Sequence, residues 1–483
     1  MRVCLICEGC YPYVPGGVSG WIQMLCSEFR EVEFVIWSIA TTREEMPEAV
    51  YDLPPNVKEL RTCYLGDEVL DQPRRRIVLS PKEKNVLREL MTAPAQGIDW
   101  CAILELVRKY RQRMNDILMS EAFYDICLKE YRRQESGKVF NHFLWNFRGI
   151  YFPLMCLLSD EIPQADLYHA VSTGYAGILG SCASYVTGKP FLLSEHGIYT
   201  REREEDIIRS QWVDGDFKQI WIDFFKKLSM IAYQQADRVT TLFEVNRALQ
   251  IELHCPAEKI ERIPNGVSCI EYEKIWQMRC SKNSGTVIGA VLRVVPIKDV
   301  KTMLLSFDLV KKAVPEAVLK IMGNCGENPA YYEECLELLE ELGTQDVTFL
   351  GQVDAKAYLP EIDLMLLSSI SEGQPLAMLE GMAAGIPFVA TNVGNCRELL
   401  EGAPGDLLGL AGRIVPVMDS AAMADAVIDC VTNPKLLRQM GETGRMRVAQ
   451  HYSKEAVLRQ YWQLYQTLGQ EKAGEEGYGR NWI

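Results

Sequence analysis

Two glutamates, Glu372 and Glu380, stand eight positions apart in the run Ser371-Glu-Gly-Gln-Pro-Leu-Ala-Met-Leu-Glu-Gly-Met-Ala-Ala-Gly-Ile-Pro387. The run reads as a glycine turn leading into a short helix. Gly373 lets the backbone turn tightly and come close to a ligand. Pro375 suits the first helical position. Leu376, Leu379 and Met382 recur at helical spacing and give the helix a buried side. Gly385 and Pro387 stop it. Such a turn and helix start leave N–H groups unpaired, a seat for a diphosphate formed by Gln374, Pro375 and Leu376. Glu372 in the turn and Glu380 on the helix can therefore reach different parts of one ligand.

A second pair, Arg293 and Lys298, has R-x4-K spacing after an expected strand. Arg brings a planar fork and Lys a point charge, together enough to hold a pyrophosphate. No Asp-x-Asp follows a strand in the first half, consistent with the metal-free chemistry that the resemblance given below implies, and no metal is expected. Gly16 and Gly17 follow the first strand and precede a helix, as a backbone loop near the donor phosphates or the acceptor would, or a plain turn. They do not form G-x-G-x-x-G, which argues against a dinucleotide fold. His196 ends a strand in Ser194-Glu-His-Gly197, where it could face a reacting centre. Asn324, in Gly323-Asn-Cys-Gly326, follows a strand and could approach a nucleoside. Asn265, in Pro264-Asn-Gly-Val267, is expected to shape an interdomain turn.

These residues need two sheets to carry them. In the first half, Val3–Cys7, Glu33–Ile39, Asp166–Val171, Pro190–Ser194 and Ala236–Leu242 read as strands that alternate with helices. In the second, Val287–Val291, Ala317–Met322, Val347–Leu350, Ile362–Leu367 and Phe388–Thr391 do the same. The expected fold is α/β, two doubly wound Rossmann-like domains facing a cleft, with ligands at the carboxyl ends of the strands. The expected boundaries are 1–270, with a helical insertion at about 70–160, and 271–450. A C-terminal helix, 451–483 with its tail, is expected to pack back on the first domain. The insertion carries His142, Trp145 and Arg148 in an aromatic segment.

The chain has 483 residues, 48% of them hydrophobic, and a net charge of −14. Two large domains are the default at this length. The acidic balance speaks against nucleic acid as a partner. No apolar run reaches the ~20 residues that span a bilayer. The N-terminus has too short an apolar stretch for a signal peptide, so a cytoplasmic protein is expected. The 16 Cys are expected to be mostly reduced and buried. Cys4, Cys7 and Cys10 have C-x2-C-x2-C spacing, but Cys4 and Cys7 on one strand point to opposite faces, so no metal is expected there.

The Glu-x7-Glu run resembles the signature of retaining GT-B glycosyltransferases of family four. Further stretches narrow the resemblance: Glu8-Gly-Cys-Tyr-Pro-Tyr-Val-Pro-Gly-Gly-Val-Ser19, Ser194-Glu-His-Gly-Ile-Tyr-Thr-Arg-Glu-Arg203 and Arg293-Val-Val-Pro-Ile-Lys-Asp-Val-Lys-Thr302. Together they are similar to the PelF family, cytosolic glycosyltransferases of Pel exopolysaccharide synthesis. The resemblance covers nearly the whole chain, the helical insertion included. It implies a UDP-sugar donor, UDP-glucose for this family, and transfer with retention to a polysaccharide acceptor, with membrane-bound partners of the Pel export apparatus. It implies that Glu372 and His196 meet the donor sugar, that Arg293 and Lys298 serve its diphosphate, and that Glu380 meets the ribose. Gln374 stands where an aromatic is frequent in the wider family, which leaves the sugar open. A family-four enzyme acting on a lipid-linked oligosaccharide or a glucan, or a non-catalytic nucleotide-sugar-binding subunit, remains an alternative. A glycoside hydrolase using Glu372 and Glu380 would leave Arg293 and Lys298 unexplained.

Overall fold

The computed structural model describes residues 1–41, 48–66, 76–93, 99–110, 113–133, 139–211, 213–280 and 286–475. The chain divides into two units, one of residues 1–262 with 461–483, the other of residues 263–460. Parts of the expected insertion, residues 281–285 and the end of the tail lie outside the described residues.

The first unit is built on seven parallel strands: β1 (Arg2–Glu8), β2 (Glu33–Ala40), β3 (Val57–Tyr64), β4 (Leu167–Ala170), β5 (Phe191–Glu195), β6 (Arg238–Thr241) and β7 (Ile260–Arg262). Their order is β3-β2-β1-β4-β5-β6-β7. The central strands are buried end to end, as a sheet covered on both faces requires: β1 reads Val3 to Cys7 at 0% exposure. β3 has no counterpart in the sequence reading. Its run Val-Lys-Glu-Leu-Arg-Thr-Cys-Tyr is half-exposed and charged, as suits the edge of a sheet. Helices at Pro81–Thr92, Trp100–Tyr110, Glu121–Arg133 and Phe140–Leu158 stand between β3 and β4. The last of them turns Phe143, Phe147 and Tyr151 into the same core as β1 and β2.

The second unit carries six parallel strands: β8 (Val287–Val291), β9 (Val318–Met322), β10 (Val347–Gly351), β11 (Leu364–Leu367), β12 (Phe388–Thr391) and β13 (Gly412–Val415). The order β10-β9-β8-β11-β12-β13 repeats that of the first unit. Each sheet reverses its winding once, beside its first strand. There β1 pairs with both β2 and β4, and β8 with both β9 and β11. Ligands of open α/β sheets bind outside the carboxyl ends of the strands at such points.

The C-terminal helix runs Lys454–Glu475. From Tyr461 onward the helix belongs to the first unit. There the Tyr465 hydroxyl meets His169 Nδ1 at 2.8 Å. Tyr461 lies 3.4 Å from Ser194 Oγ and 3.2 Å from Thr240 Oγ1. Cys4 and Cys7 are fully buried in β1 and Cys10 partly so. Burial pushes the Cys4 thiol far up. Among the described residues, no cluster of three His, Cys, Asp or Glu could hold a metal ion, and no helix is long and apolar enough to cross a membrane.

Candidate active site

In the second unit the segment Ser368–Gln374 leaves the carboxyl end of β11, at the reversal of the winding. Ser368 donates to the carbonyl of Lys298 at 2.8 Å, and Ile370 N–H donates to Ile297 O at 2.9 Å. The Glu372 turn is thus fastened to the Lys298 turn by its backbone and hydroxyls. The side chains follow. Lys298 Nζ lies 2.5 Å from Glu372 Oε1, with side chains only 17% and 10% exposed. Ser369 Oγ donates to the same oxygen at 2.6 Å, while Thr391 at the end of β12 donates to Ser369 O at 2.6 Å. Sequence alone assigned Lys298 and Glu372 separately. The fold brings them into one charge-assisted pair across 74 positions.

A glycine outside the motif shapes this turn. Gly394 has φ +50, and a Cβ there would fall 2.2 Å from Gly373 O and 2.3 Å from Glu372 O. Asn395 N–H then donates to Gly373 O at 2.9 Å. The sequence signal was a Gly just past a buried strand, in Asn-Val-Gly-Asn.

The helix after the turn runs Leu376–Ala383, with Pro375 as its N-cap residue instead of its first helical residue. The cause is its ψ of 111°, extended rather than helical. Gly385 ends the helix in the left-handed conformation, φ +70, against the ring of Trp276. Gln374 is 7% exposed. Its Oε1 accepts the backbone N–H of Asn265 at 2.6 Å, so Asn265 acts within the second unit as a partner of the motif. Gln374 Nε2 has no hydrogen-bond partner among the described residues. Glu380 is half-buried. Burial raises its pKa, Lys356 pulls it back, and it hydrogen-bonds the hydroxyl of Tyr272.

Arg293 follows β8, is 58% exposed, and pairs with Glu327 Oε1 at 2.5 Å. The structure thus gives the two cations separate carboxylates, Glu327 for Arg293 and Glu372 for Lys298. Asn324 turns its side-chain oxygen back onto Gly326 N–H at 2.8 Å, and its carbonyl accepts Val294 N–H at 2.9 Å. Its main visible work is to close the loop beside Arg293.

In the first unit, Gly16 is the N-cap residue of the helix Gly17–Glu28, and its φ of 169° is ordinary extended backbone. Both glycines are exposed. His196 follows β5 and packs edge-on against Trp21, ring centroids 4.6 Å apart. Burial lowers its pKa to about 4, so its imidazole is neutral at pH 7, and its Nε2 has no hydrogen-bond partner among the described residues. Its neighbour Glu195 is buried and accepts four bonds from neutral donors. These are Thr173 Oγ1 at 3.2 Å, Tyr199 N–H at 3.2 Å, Tyr233 OH at 2.6 Å and Gln250 Nε2 at 2.9 Å. Burial raises its pKa.

Glu8, at the end of β1, closes the other side of this segment. Its Oε2 accepts Tyr175 N–H at 3.0 Å and Ala176 N–H at 3.2 Å, at the start of the helix Gly174–Thr187. Its Oε1 accepts the Tyr199 hydroxyl at 2.6 Å. Burial raises the Glu8 pKa against the pull of Tyr199 and Arg203. Two carboxylates thus grip Tyr199, three residues beyond His196. Neither Glu8 nor Glu195 carried a role in the sequence reading, because their partners lie up to 191 positions away.

Residues 1–258, more than half of the chain, match the family described as Domain of unknown function (DUF3492). Residues 285–433 match Glycosyl transferases group 1. Over 182 residues the chain is 31% identical to N-acetyl-alpha-D-glucosaminyl L-malate synthase of Bacillus anthracis, covering 37% of this chain and 45% of that protein. Over 283 residues it is 23% identical to MMP alpha-(1->4)-mannosyltransferase of Mycolicibacterium hassiacum, covering 58% and 66%. The chain therefore spans less than two thirds of the length of these curated relatives. Among solved structures it resembles Anabaena Alr3699/HepE in complex with UDP and glucose. The TM-score is 0.58 at 16% identity, over 97% of this chain and 100% of that one, a likeness of fold. The chain belongs to the DUF3492 family, with a group 1 glycosyl transferase domain over residues 285–433 and the GT-B fold.

Proposed function

We propose that this protein is a retaining glycosyltransferase that takes a sugar from a UDP-sugar, UDP-glucose in our reading, and adds it to a growing exopolysaccharide of the Pel type. The observation that carries the reading is the Lys298–Glu372 pair at 2.5 Å. It sits at the reversal of the second sheet, beside the start of the helix Leu376–Ala383. Ammonium and carboxylate side by side suit a leaving diphosphate and a sugar that turns cationic. Lys298 has three donors and can hold Glu372 and a phosphate oxygen together. Arg293 adds a second cation. Charge grows on both fragments as the glycosyl bond breaks, so groups already aimed at it stabilise the transition state more than the ground state. Glu380 serves the ribose from the helix, and Asn324 the nucleoside. Gln374, Pro375 and Leu376 supply the helix-start cradle. Gly16 and Gly17 offer an exposed backbone loop to the donor phosphates. His196, neutral, acts in the transfer step as a hydrogen-bond partner. No metal takes part in this reading. The HepE complex with UDP and glucose supports a donor of this class. The PelF resemblance supports a cytoplasmic enzyme whose partners are the membrane proteins of polysaccharide export.

The test is calorimetric titration with UDP in EDTA, together with UDP-glucose turnover. UDP should bind, and Lys298→Ala should weaken it by roughly 1.5–3 kcal/mol, the range of a charged hydrogen bond. Glu372→Ala and His196→Ala should lower kcat far more than they weaken UDP. Loss of UDP binding in EDTA would overturn the metal-free assignment. A fall in affinity as large as the fall in kcat/KM, with kcat unchanged, would reduce both residues to nucleotide holders.

A further inference from the structure

Arg293 is not idle in this structure. Its Nη1 lies 2.5 Å from Glu327 Oε1. The carboxylate comes from a segment locked to the one that carries the arginine. Leu292 N–H donates to Met322 O and Val294 N–H to Asn324 O, each at 2.9 Å. Gly323, at φ +146, brings its Cα so close that a Cβ would lie 1.7 Å from Leu292 O. On one side of Glu327, Gly326 is held by Asn324 Oδ1 at 2.8 Å. On the other, Asn328 caps the helix Pro329–Leu342 through Tyr331 N–H at 3.1 Å. The Glu327 backbone is fixed from both directions, so its carboxylate returns to Arg293 whenever the guanidinium is not otherwise engaged.

A guanidinium fork binds carboxylate and phosphate by the same geometry. We propose that Glu327 competes with the diphosphate of the nucleotide for Arg293, weakening nucleotide binding and hastening release of the spent nucleoside diphosphate. This rests on the donor-site reading above. It assigns a role to a residue outside the Glu-x7-Glu and Arg-x4-Lys motifs. Glu327 pairs with the more exposed of the two cations, at 39% exposure itself, whereas the Lys298–Glu372 pair is nearly closed off. An exposed pair is weak enough for a ligand to displace.

The experiment is calorimetric titration of the full chain with UDP for the wild type, Glu327→Gln, Arg293→Ala and the double variant, with release rates by stopped flow. Glu327→Gln should tighten UDP binding by about two- to fivefold, the span of an exposed ion pair, mostly through slower release. In the Arg293→Ala background the same change should do nothing. Unchanged or weaker UDP binding by Glu327→Gln would overturn the proposal while leaving the donor reading intact. So would a tightening that persists without Arg293, since that would be a general effect of surface charge. No UDP binding by any of the four proteins would overturn the donor reading and this proposal with it.

Discussion

Replacing Gly394 by alanine should disable the Glu372 turn at a modest loss of stability. The backbone at Gly394 is left-handed, φ +50, and holding an L-residue there costs ~1–2 kcal/mol. The larger effect is steric and directed. The new methyl would fall 2.2 Å from Gly373 O and 2.3 Å from Glu372 O. Carbon–oxygen contacts settle at about 3.3 Å or more, so the turn must retreat by about 1 Å. Main-chain oxygens cannot swing aside as a flexible side chain can. That retreat strains the 2.5 Å Lys298–Glu372 pair and the 2.9 Å bond from Asn395 to Gly373. A misplacement of this size costs on the order of 100-fold in rate when it moves a reacting group. Gly405 supplies the control: it has φ +93 but nothing within 4 Å of a Cβ. Gly405→Ala should show the backbone penalty and keep its turnover. The assay is UDP-glucose turnover beside thermal melting for both variants. Equal turnover in the two would refute the reasoning, because the clash would then be absorbed without moving Glu372.

Arg447 is 1% exposed and bonds Asp406, Leu399 O, Leu400 O and Gly409 O. Arg447→Met should cost ~3–5 kcal/mol in urea unfolding, because the Asp406 carboxylate, 4% exposed, loses its cation and keeps only the Leu408 N–H among the bonds described; a loss under about 1 kcal/mol would show that the loop simply opens. Burial holds His169 at a pKa of about 3 and His196 at about 4, so both stay neutral in the folded protein while the unfolded chain takes up protons below about 6.5. Each therefore gives stability that is present above that value and lost as pH falls toward the folded pKa, ~2 kcal/mol per histidine by pH 5. Glu8, Glu195 and Glu380, raised by burial, work the other way, so the readout is a difference: His169→Gln should flatten the fall in melting temperature between pH 7 and 5 relative to the wild type, and parallel curves would dismiss the effect.

What could be read in the sequence was local. The turn and helix around Glu372 and Glu380 are set by residues a few positions apart, and strands such as β1 and β11 are apolar runs with sharp ends. The Arg293 and Lys298 assignments also came from spacing, but not their partners, since Glu327 and Glu372 are brought to them by the winding of the sheet. The grip of Glu8 and Glu195 on Tyr199 was invisible for the same reason. Each carboxylate is an ordinary strand-end residue until β1 and β5 are set into one sheet on either side of β4, with their helices against it. β3 escaped because an edge strand carries charge on its exposed face and shows no apolar run. Pro375 caps the helix instead of opening it, because the proline ring fixes φ but leaves ψ free to be extended.

The shared ownership of the helix Lys454–Glu475 bears on how the protein is made. The first unit takes its last two buried tyrosines, Tyr461 and Tyr465, from chain that follows all of residues 263–460. A ribosome adding ~5–20 residues per second needs roughly 10–40 s to cross that interval. Throughout it, the nascent first sheet is complete in its strands, yet His169 and Ser194 still lack the tyrosine hydroxyls that meet them in the finished protein. The N-terminal part therefore cannot reach its final packing as it emerges. It must wait until the second unit has been synthesised, and only then is it sealed.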